Sequence, residues 1–265
     1  MSVRPSLLSA TLLVAGAAAA MPLRAQGVEY APGSTSYHVS TITKGTQTSP
    51  MGSQAFEIGV EQRITVNIAR RAKDTLTTTV TIDSISLHSA GPTPDVSQYR
   101  GLKFTSLVSP TGRIYSTQKP EGQDPLVGQL AESAASFLPS FRGDLHAGAT
   151  WADTSVGKVT QQGMLVDRTT ISTYTVRGDT TIGGNRAVRV TRHMAVSASG
   201  SGTPNGSAVN VASSTASDAD FFLSRGGAFL GGHSNDDINM KLTIVAQNAE
   251  INIIQHAAST VSPIK

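Results

Sequence analysis

One amphipathic helix stands between two series of strand-like segments, and this arrangement constrains the fold more than any other feature. From Asp124 onward, apolar residues recur at the spacing of one helical face. Asp124 is suited to cap the first turn and Pro125 to follow it, while Pro139 ends the predicted helix because it lacks an N–H. A lone helix near 125–139 needs one sheet face to cover its apolar side. That side consists of Leu126, Leu130, Ala134, Phe137, Leu138 and Phe141.

Long strands are predicted before this helix. The segment from Phe56 to Ile68 alternates between apolar and polar residues, which is the pattern of a strand with one buried face. In the next segment, from Thr75 to His88, the apolar positions change from even to odd near Asp83. One bulged residue there would keep them on one face and bend the strand. The apolar positions of the first segment are Phe56, Ile58, Val60, Ile64, Val66 and Ile68.

Strand-like segments also follow the helix, separated by short turn sequences, so that about eleven or twelve strands are predicted in all. Ser199–Ser207 is polar and rich in glycine, which predicts a mobile loop, and Val209–Leu223 is only weakly patterned. The predicted fold is mainly β: a large curved antiparallel sheet, a half-barrel-like meander, with one central helix packed on its concave face. We expect a single domain over 26–265.

The first 25 residues have the pattern of a secretory signal peptide. A basic residue, Arg4, precedes an apolar run, and Leu23-Arg24-Ala25 matches a small-residue cleavage site before Gln26. The run is too short for a stable membrane span. We therefore expect export to the periplasm or the extracellular space, with cleavage near Ala25.

Charge and composition exclude several classes of protein. Arg4 and Arg24 account for two of the 21 basic residues, so the remainder nearly balances the 18 acidic residues. No basic cluster typical of a nucleic-acid binder is present. With 5% aromatic residues and one tryptophan, the chain lacks the aromatic girdles of an outer-membrane barrel. It is not expected to be an integral membrane protein.

No metal site, cofactor or catalytic centre is expected from the sequence. There is no cysteine, and the six histidines are scattered without the paired spacing of a zinc site. No nucleophile, base and orienting group can be assembled from neighbouring residues, so a non-enzymatic protein is predicted. One alternative stays open, a hydrolase. Its site would lie near Asp218, Asp220, His233 and Asp237.

Long curved strands around one amphipathic helix would enclose a protected apolar interior, which could hold an acyl chain. We therefore predict a protein that binds or carries an apolar ligand, with a lipid or a lipidated protein as its partner. The alternative is a structural or interaction domain of the cell envelope, in which the same residues form a filled core. The predicted lining is Leu126, Leu130, Phe137, Leu138 and Phe141 from the helix and Phe56, Ile58, Val60, Ile64 and Val66 from the sheet.

Two short segments add a resemblance to known proteins. The sequence Phe137-Leu138-Pro139 at the end of the helix and Gly148-Ala149-Thr150-Trp151 after it resemble segments of secreted bacterial β-rich domains of unknown function. Together with the signal peptide and the β meander, the pattern is similar to the half-barrels of periplasmic lipoprotein carriers and mycobacterial lipid carriers. This resemblance implies binding or carriage of an apolar group inside the half-barrel.

Overall fold

The structure is a computed structural model that describes residues 28–91, 94–118, 125–142, 144–161 and 164–264. The predicted signal peptide, its cleavage site near Ala25 and the predicted cap Asp124 lie outside these residues.

The described residues form one sheet of eleven antiparallel strands, in the order β5-β4-β3-β2-β1-β11-β10-β9-β8-β7-β6. Strands that are neighbours in the chain pair with each other, except β5 and β6, and the first strand pairs with the last. Among the described residues β5 and β6 are not paired, so the curved sheet is a half-barrel, and the predicted fold class is confirmed. The strands are β1 Gly33–Ser49, β2 Gly52–Ala72, β3 Thr75–Ser89, β4 Lys103–Val108, β5 Ile114–Thr117, β6 Thr150–Gln161, β7 Met164–Ile182, β8 Asn185–Gly202, β9 Val209–Leu223, β10 Phe229–Ile244 and β11 Ala249–Pro263.

The predicted bulge is present in β3. Arg63 of β2 pairs with Ser84, whereas the next residue, Ile64, pairs with Ile82, so that Asp83 is the extra residue. The Asp83 carboxylate accepts a hydrogen bond of 2.7 Å from the Thr65 hydroxyl. Because of this insertion, the apolar residues of β3 on both sides of the bulge stay on the same face of the sheet.

One face of the sheet, called here the inner face, carries the core. Directly paired residues of neighbouring strands share a face, and the paired set Tyr37, Ile64 and Ile82 is buried there. Polar and charged residues take the opposite, outer face of the same strands. The alternation read from the sequence of β2 therefore separates the two faces as expected.

The one α-helix of the described residues, α1, spans Pro125–Ala135 and packs on the inner face over β3 and β4. It ends before Pro139, so it is shorter than the sequence pattern predicts. The Ser136 hydroxyl donates a hydrogen bond of 2.9 Å to the Glu132 carbonyl. Such a side-chain bond to the backbone competes with the hydrogen bonds that would continue the helix. The described residues from 136 onward begin with a turn and a bend, and they pack on the inner face through Leu138 and Phe141.

Two segments without regular structure close one end of the half-barrel, called here the closed end. They are residues 28–31 and the described residues of 136–149. The Tyr30 N–H donates to the Pro110 carbonyl at 2.7 Å, and the Ala31 N–H donates to the Gly227 carbonyl at 3.1 Å. These bonds tie the N-terminal segment to the β4–β5 and β9–β10 turns.

The loop predicted at Ser199–Ser207 is shorter in the structure, because its first four residues are strand. Its first residues belong to β8, where Ser199 pairs with Ala212 and Gly200 with Val211. Only Pro204–Gly206 forms a short 3₁₀ turn. The weakly patterned segment Val209–Leu223 is the complete partner strand β9, and this pairing holds the glycine- and serine-rich residues of β8 in extended form.

Candidate functional site

Aromatic side chains fill the closed end of the half-barrel. The Phe137 ring meets Tyr37 edge to face at a centroid distance of 5.0 Å and Phe229 at 5.7 Å. Tyr30 is fully buried, meets Phe141 at 5.1 Å, and donates from its hydroxyl to the Pro139 carbonyl at 2.7 Å. These contacts leave this end close-packed, as in an ordinary protein interior.

Burial changes the acid–base behaviour of two of these tyrosines. Removal from water raises the pKa of Tyr37 to about 12. It also raises the pKa of Tyr30 well above its usual value, with the nearby Tyr37 adding to the effect. Both phenols are therefore held neutral in the folded protein, since burial disfavours the phenolate.

A second cluster holds the helix against the sheet. Leu130 and Ala131 of α1 are buried against Ile82 and Phe104 on the inner face, and Leu126 packs at the margin of this cluster. The helix therefore packs mainly over β3 and β4, and among the described residues the strands of the second series are covered only at the closed end.

Beyond the closed end, no described segment packs on the inner face, and this part is called here the open half. None of its apolar side chains belongs to or packs against either core cluster in the part of the chain that the structure describes. The apolar residues of the open half are Phe56, Ile58 and Val60 on β2, Met194, Val196 and Ala198 on β8, Val209 and Val211 on β9, Ile238, Met240 and Leu242 on β10, and Ile251 and Ile253 on β11.

Curvature shields this uncovered face. Ile253 points inward and is half-buried, whereas the neighbouring Ile254 points outward and is 52% exposed. The same contrast holds along β10, where Met240 is half-buried and the adjacent Asn239 and Lys241 are exposed. Since no described segment covers these inner residues, the neighbouring strands of the curved sheet supply the shielding, although Ile58 of β2 is still 39% exposed. The open half is therefore a trough.

The trough is long enough for a lipid tail. The β10 stretch from Asp236 to Ile244 spans about 26 Å at roughly 3.3 Å per residue. An acyl chain in one membrane leaflet spans about 15 Å, half of the roughly 30 Å hydrocarbon thickness of a bilayer. Serine and threonine side chains, such as Ser213 and Thr215, lie opposite apolar residues of the neighbouring strand, so the lining of the trough is partly polar.

The predicted lining residues divide between the two halves. Ile64, Val66, Leu138 and Phe141 lie together in the closed-end core, with Phe137 packed against it. Leu126 and Leu130 belong to the cluster under the helix. Phe56, Ile58 and Val60 lie in the open half, where the Phe56 ring covers Gly45 of β1 so closely that an added Cβ would lie 2.6 Å from it. Their role in binding a ligand stays a prediction.

A charged residue, Arg192, lies on the inner face where the closed-end core gives way to the trough. It follows Val190 and precedes Met194 on the inward-facing positions of β8. Its guanidinium lies 5.2 Å from the centroid of the Phe221 ring, and Nη2 donates to the Ser217 hydroxyl at 3.3 Å. The Nε–H is buried without an acceptor. The sequence interpretation missed this residue, although its inward position in the alternation of β8 was the available signal.

The residues of the predicted hydrolase site lie on the outer face in two separate groups. Asp220 accepts two hydrogen bonds from Arg189, at 2.9 and 2.8 Å, and lies 3.1 Å from the His233 Nε2. These bonds raise the pKa of Arg189. His193 contacts Asp218 at 2.8 Å in the same groove, whose volume is about 280 Å³.

Asp237 belongs to the other group and pairs with His256. It does not line the groove that holds Asp218 and Asp220. In the described ranges, no group of three or more histidine, aspartate or glutamate side chains is arranged to hold a metal ion. Two further shallow grooves, of about 530 and 510 Å³, are bordered mainly by outer-face side chains such as Lys44 and Lys241. Within the described residues, α1 and the short turns include no apolar helix long enough to cross a bilayer.

Comparisons with known proteins found similar structures only. No protein-family model and no curated protein matches this chain. A structure of lipovitellin, solved for its lipid–protein interactions, is 14% identical with a TM-score of 0.46, and covers 89% of this chain and 26% of its own. This chain thus spans about a quarter of the lipovitellin chain.

Two further structures are smaller proteins. The hypothetical lipoprotein YmcC of Escherichia coli K12 is 12% identical, with a TM-score of 0.24 and coverage of 87% of this chain and 88% of its own. A putative outer membrane lipoprotein-sorting protein domain of Vibrio parahaemolyticus is 11% identical, with a TM-score of 0.14 and coverage of 86% and 85%. An outer membrane channel of Pseudomonas putida is also similar, at a TM-score of 0.30.

Proposed function

We propose that this protein is exported to the periplasm or beyond and binds an acyl chain in the open half of its inner face. The function is binding or carriage, not catalysis. The observation that supports it is the uncovered apolar trough of β8 to β11, which continues well beyond the packed core. Burying apolar surface is favourable by about 0.8 kcal/mol per methylene, so an acyl chain lying in the trough gains affinity without a covalent link.

The shape of the trough favours a single chain over a folded partner. Its apolar side chains, Met240 and Ile253 among them, are already half-buried by the neighbouring strands. Met194 and Met240 add unbranched, adaptable side chains, which suit ligands of variable shape.

The alternative of a structural domain with a filled core is supported by the closed end alone. There Tyr30, Leu76 and Val188 have no exposed surface. Accordingly, we assign packing to the predicted lining residues of the helix and the closed end, and ligand contact to Phe56, Ile58 and Val60. Under the structural alternative, a ligand probe would find no site in the open half.

Native mass spectrometry of protein purified from its own envelope tests the proposal, together with titration of a fluorescent fatty acid. We expect a co-purifying lipid and saturable binding. Met240→Asp, on the inner face, should weaken binding at least about tenfold because it places a charge beside the acyl chain. Asn239→Asp, one residue away on the outer face, adds the same charge and should leave binding unchanged.

Both variants must remain folded, as judged by circular dichroism. We expect this because Met240 and Asn239 belong to neither core cluster. Absence of any saturable fatty-acid binding to the wild-type protein would overturn the proposal. Equal loss in the two variants would also contradict it, since the inner face would then not be the binding surface.

A further inference from the structure

We infer that Arg192 binds the carboxylate of a fatty acid whose tail lies in the trough. This inference rests on the proposed function and specifies its ligand: a single-chain acyl anion, held with the head group at the inner margin of the open half and the tail directed towards the open end.

The position of Arg192 is unusual for a charged residue. It stands on the concave, core-bearing face, directly opposite Tyr174 of β7 and Ala219 of β9. Because the alanine side chain is small, the arginine can lie across β9, between the Phe221 ring and the Ser217 hydroxyl. Ser217 is the residue nearer to the open half, so the guanidinium reaches towards the trough.

The guanidinium has unused hydrogen-bonding capacity. An arginine carries five N–H donors, and only the contact from Nη2 to Ser217 is made in the described part of the chain. The Nε–H is buried and has no acceptor, which is costly in a protein interior. The residue as a whole is half-buried. An anion entering from the trough meets the Nη edge, and rotation of the guanidinium would give Nε–H its missing acceptor.

One acidic residue shares this part of the inner face. Asp236 of β10 pairs with Ser217, and its Oδ2 accepts a hydrogen bond of 3.4 Å from the Ser234 hydroxyl. It forms no ion pair with Arg192 among the described contacts, so the guanidinium keeps its charge available. The negative charge of Asp236 disfavours a doubly charged head group. A carboxylate carries one charge and matches the two-donor fork of an arginine, and this favours a fatty acid over a phosphate monoester.

The test compares three single-chain ligands of equal tail length: a fatty acid, its methyl ester and a phosphate monoester. Wild-type protein should bind the acid at least about tenfold more tightly than the ester, because a charge-assisted hydrogen bond in a shielded site is strong. Arg192→Gln should abolish this preference and leave ester binding unchanged. Arg63→Gln, which removes an exposed arginine from the outer face of β2, is the control and should keep the preference.

The outcomes separate this inference from the proposed function. Equal binding of acid and ester by wild-type protein, or an unchanged preference in Arg192→Gln, overturns the role of Arg192 while acyl binding survives. Absence of binding by all three ligands overturns the proposed function itself. Tighter, Arg192-dependent binding of the phosphate monoester overturns the carboxylate assignment. If Arg192→Gln fails to fold, Arg192→Lys keeps the charge without the fork and should reduce the preference for the acid.

Discussion

Tyr30 should contribute more to stability than its place in an irregular N-terminal segment suggests. The side chain is fully buried, its ring meets Phe141, and its hydroxyl donates to the Pro139 carbonyl at 2.7 Å. Tyr30→Phe keeps the ring but leaves a buried carbonyl without its donor, at a cost of about 1–2 kcal/mol. Tyr30→Ala also removes the ring, for a total of about 4–5 kcal/mol. That is a large part of the roughly 5–15 kcal/mol of a typical domain.

Urea unfolding followed by fluorescence and circular dichroism measures both variants. The midpoint should fall while the slope with denaturant stays constant. In thermal unfolding, the alanine variant should melt about 10–15 °C lower, at roughly 2–4 °C per kcal/mol for a domain of this size. Tyr115→Ala, at a tyrosine that is 55% exposed on β5, is the control and should change stability by less than about 1 kcal/mol. A Tyr30→Ala variant as stable as this control would show that 28–31 is not part of the cooperative fold.

Three further predictions concern protonation, a turn and processing. Burial raises the pKa of Tyr37 to about 12. The contribution of this tyrosine to the free energy of unfolding is therefore fully present below pH 10 and falls by about 2–3 kcal/mol as the pH rises from 10 to 12. A urea midpoint that stays constant over this range contradicts the prediction. Gly227→Ala should lower the free energy of unfolding by more than about 2 kcal/mol, because Gly227 has φ +84° and an added Cβ would overlap the Glu29 carbonyl oxygen. Gly184 has a similar φ of +83° but open space around it, so Gly184→Ala should cost about 1 kcal/mol in the same assay. Mass spectrometry of the exported protein should find Gln26 as the first residue, and an intact Met1 in that pool would refute cleavage.

Most of the local structure can be predicted from the sequence, because the alternation of apolar and polar residues depends only on neighbouring positions. The strict pattern from Phe56 to Ile68 predicts β2, and the change of phase near Asp83 predicts the bulge that the pairing of β2 and β3 contains. Strand ends were harder to predict. The stretch at Ser199 has little intrinsic strand preference, and only its pairing with β9 keeps it extended.

The candidate site depends on information that alternation does not contain. Inward positions such as Val196 and Met240 are visible in the sequence, but whether another segment covers them is decided by the path of the chain after α1. The same limit applies to Arg192. Its inward position follows from the period of β8, whereas its contacts with Phe221 and Ser217 require the register of β8 against β9.

The pairing of the first strand with the last has a consequence for how the sheet is assembled. Thr41 and Ser259 share a hydrogen bond although they lie 218 residues apart, while most other strand pairs are hairpins between chain neighbours. Such distant contacts carry a high loop-closure entropy and form late. Each series of strands can therefore fold as a separate meander, and joining β1 to β11 is expected to be the slow step. Until then, both strands present open edges to other chains, which makes this the stage most exposed to aggregation.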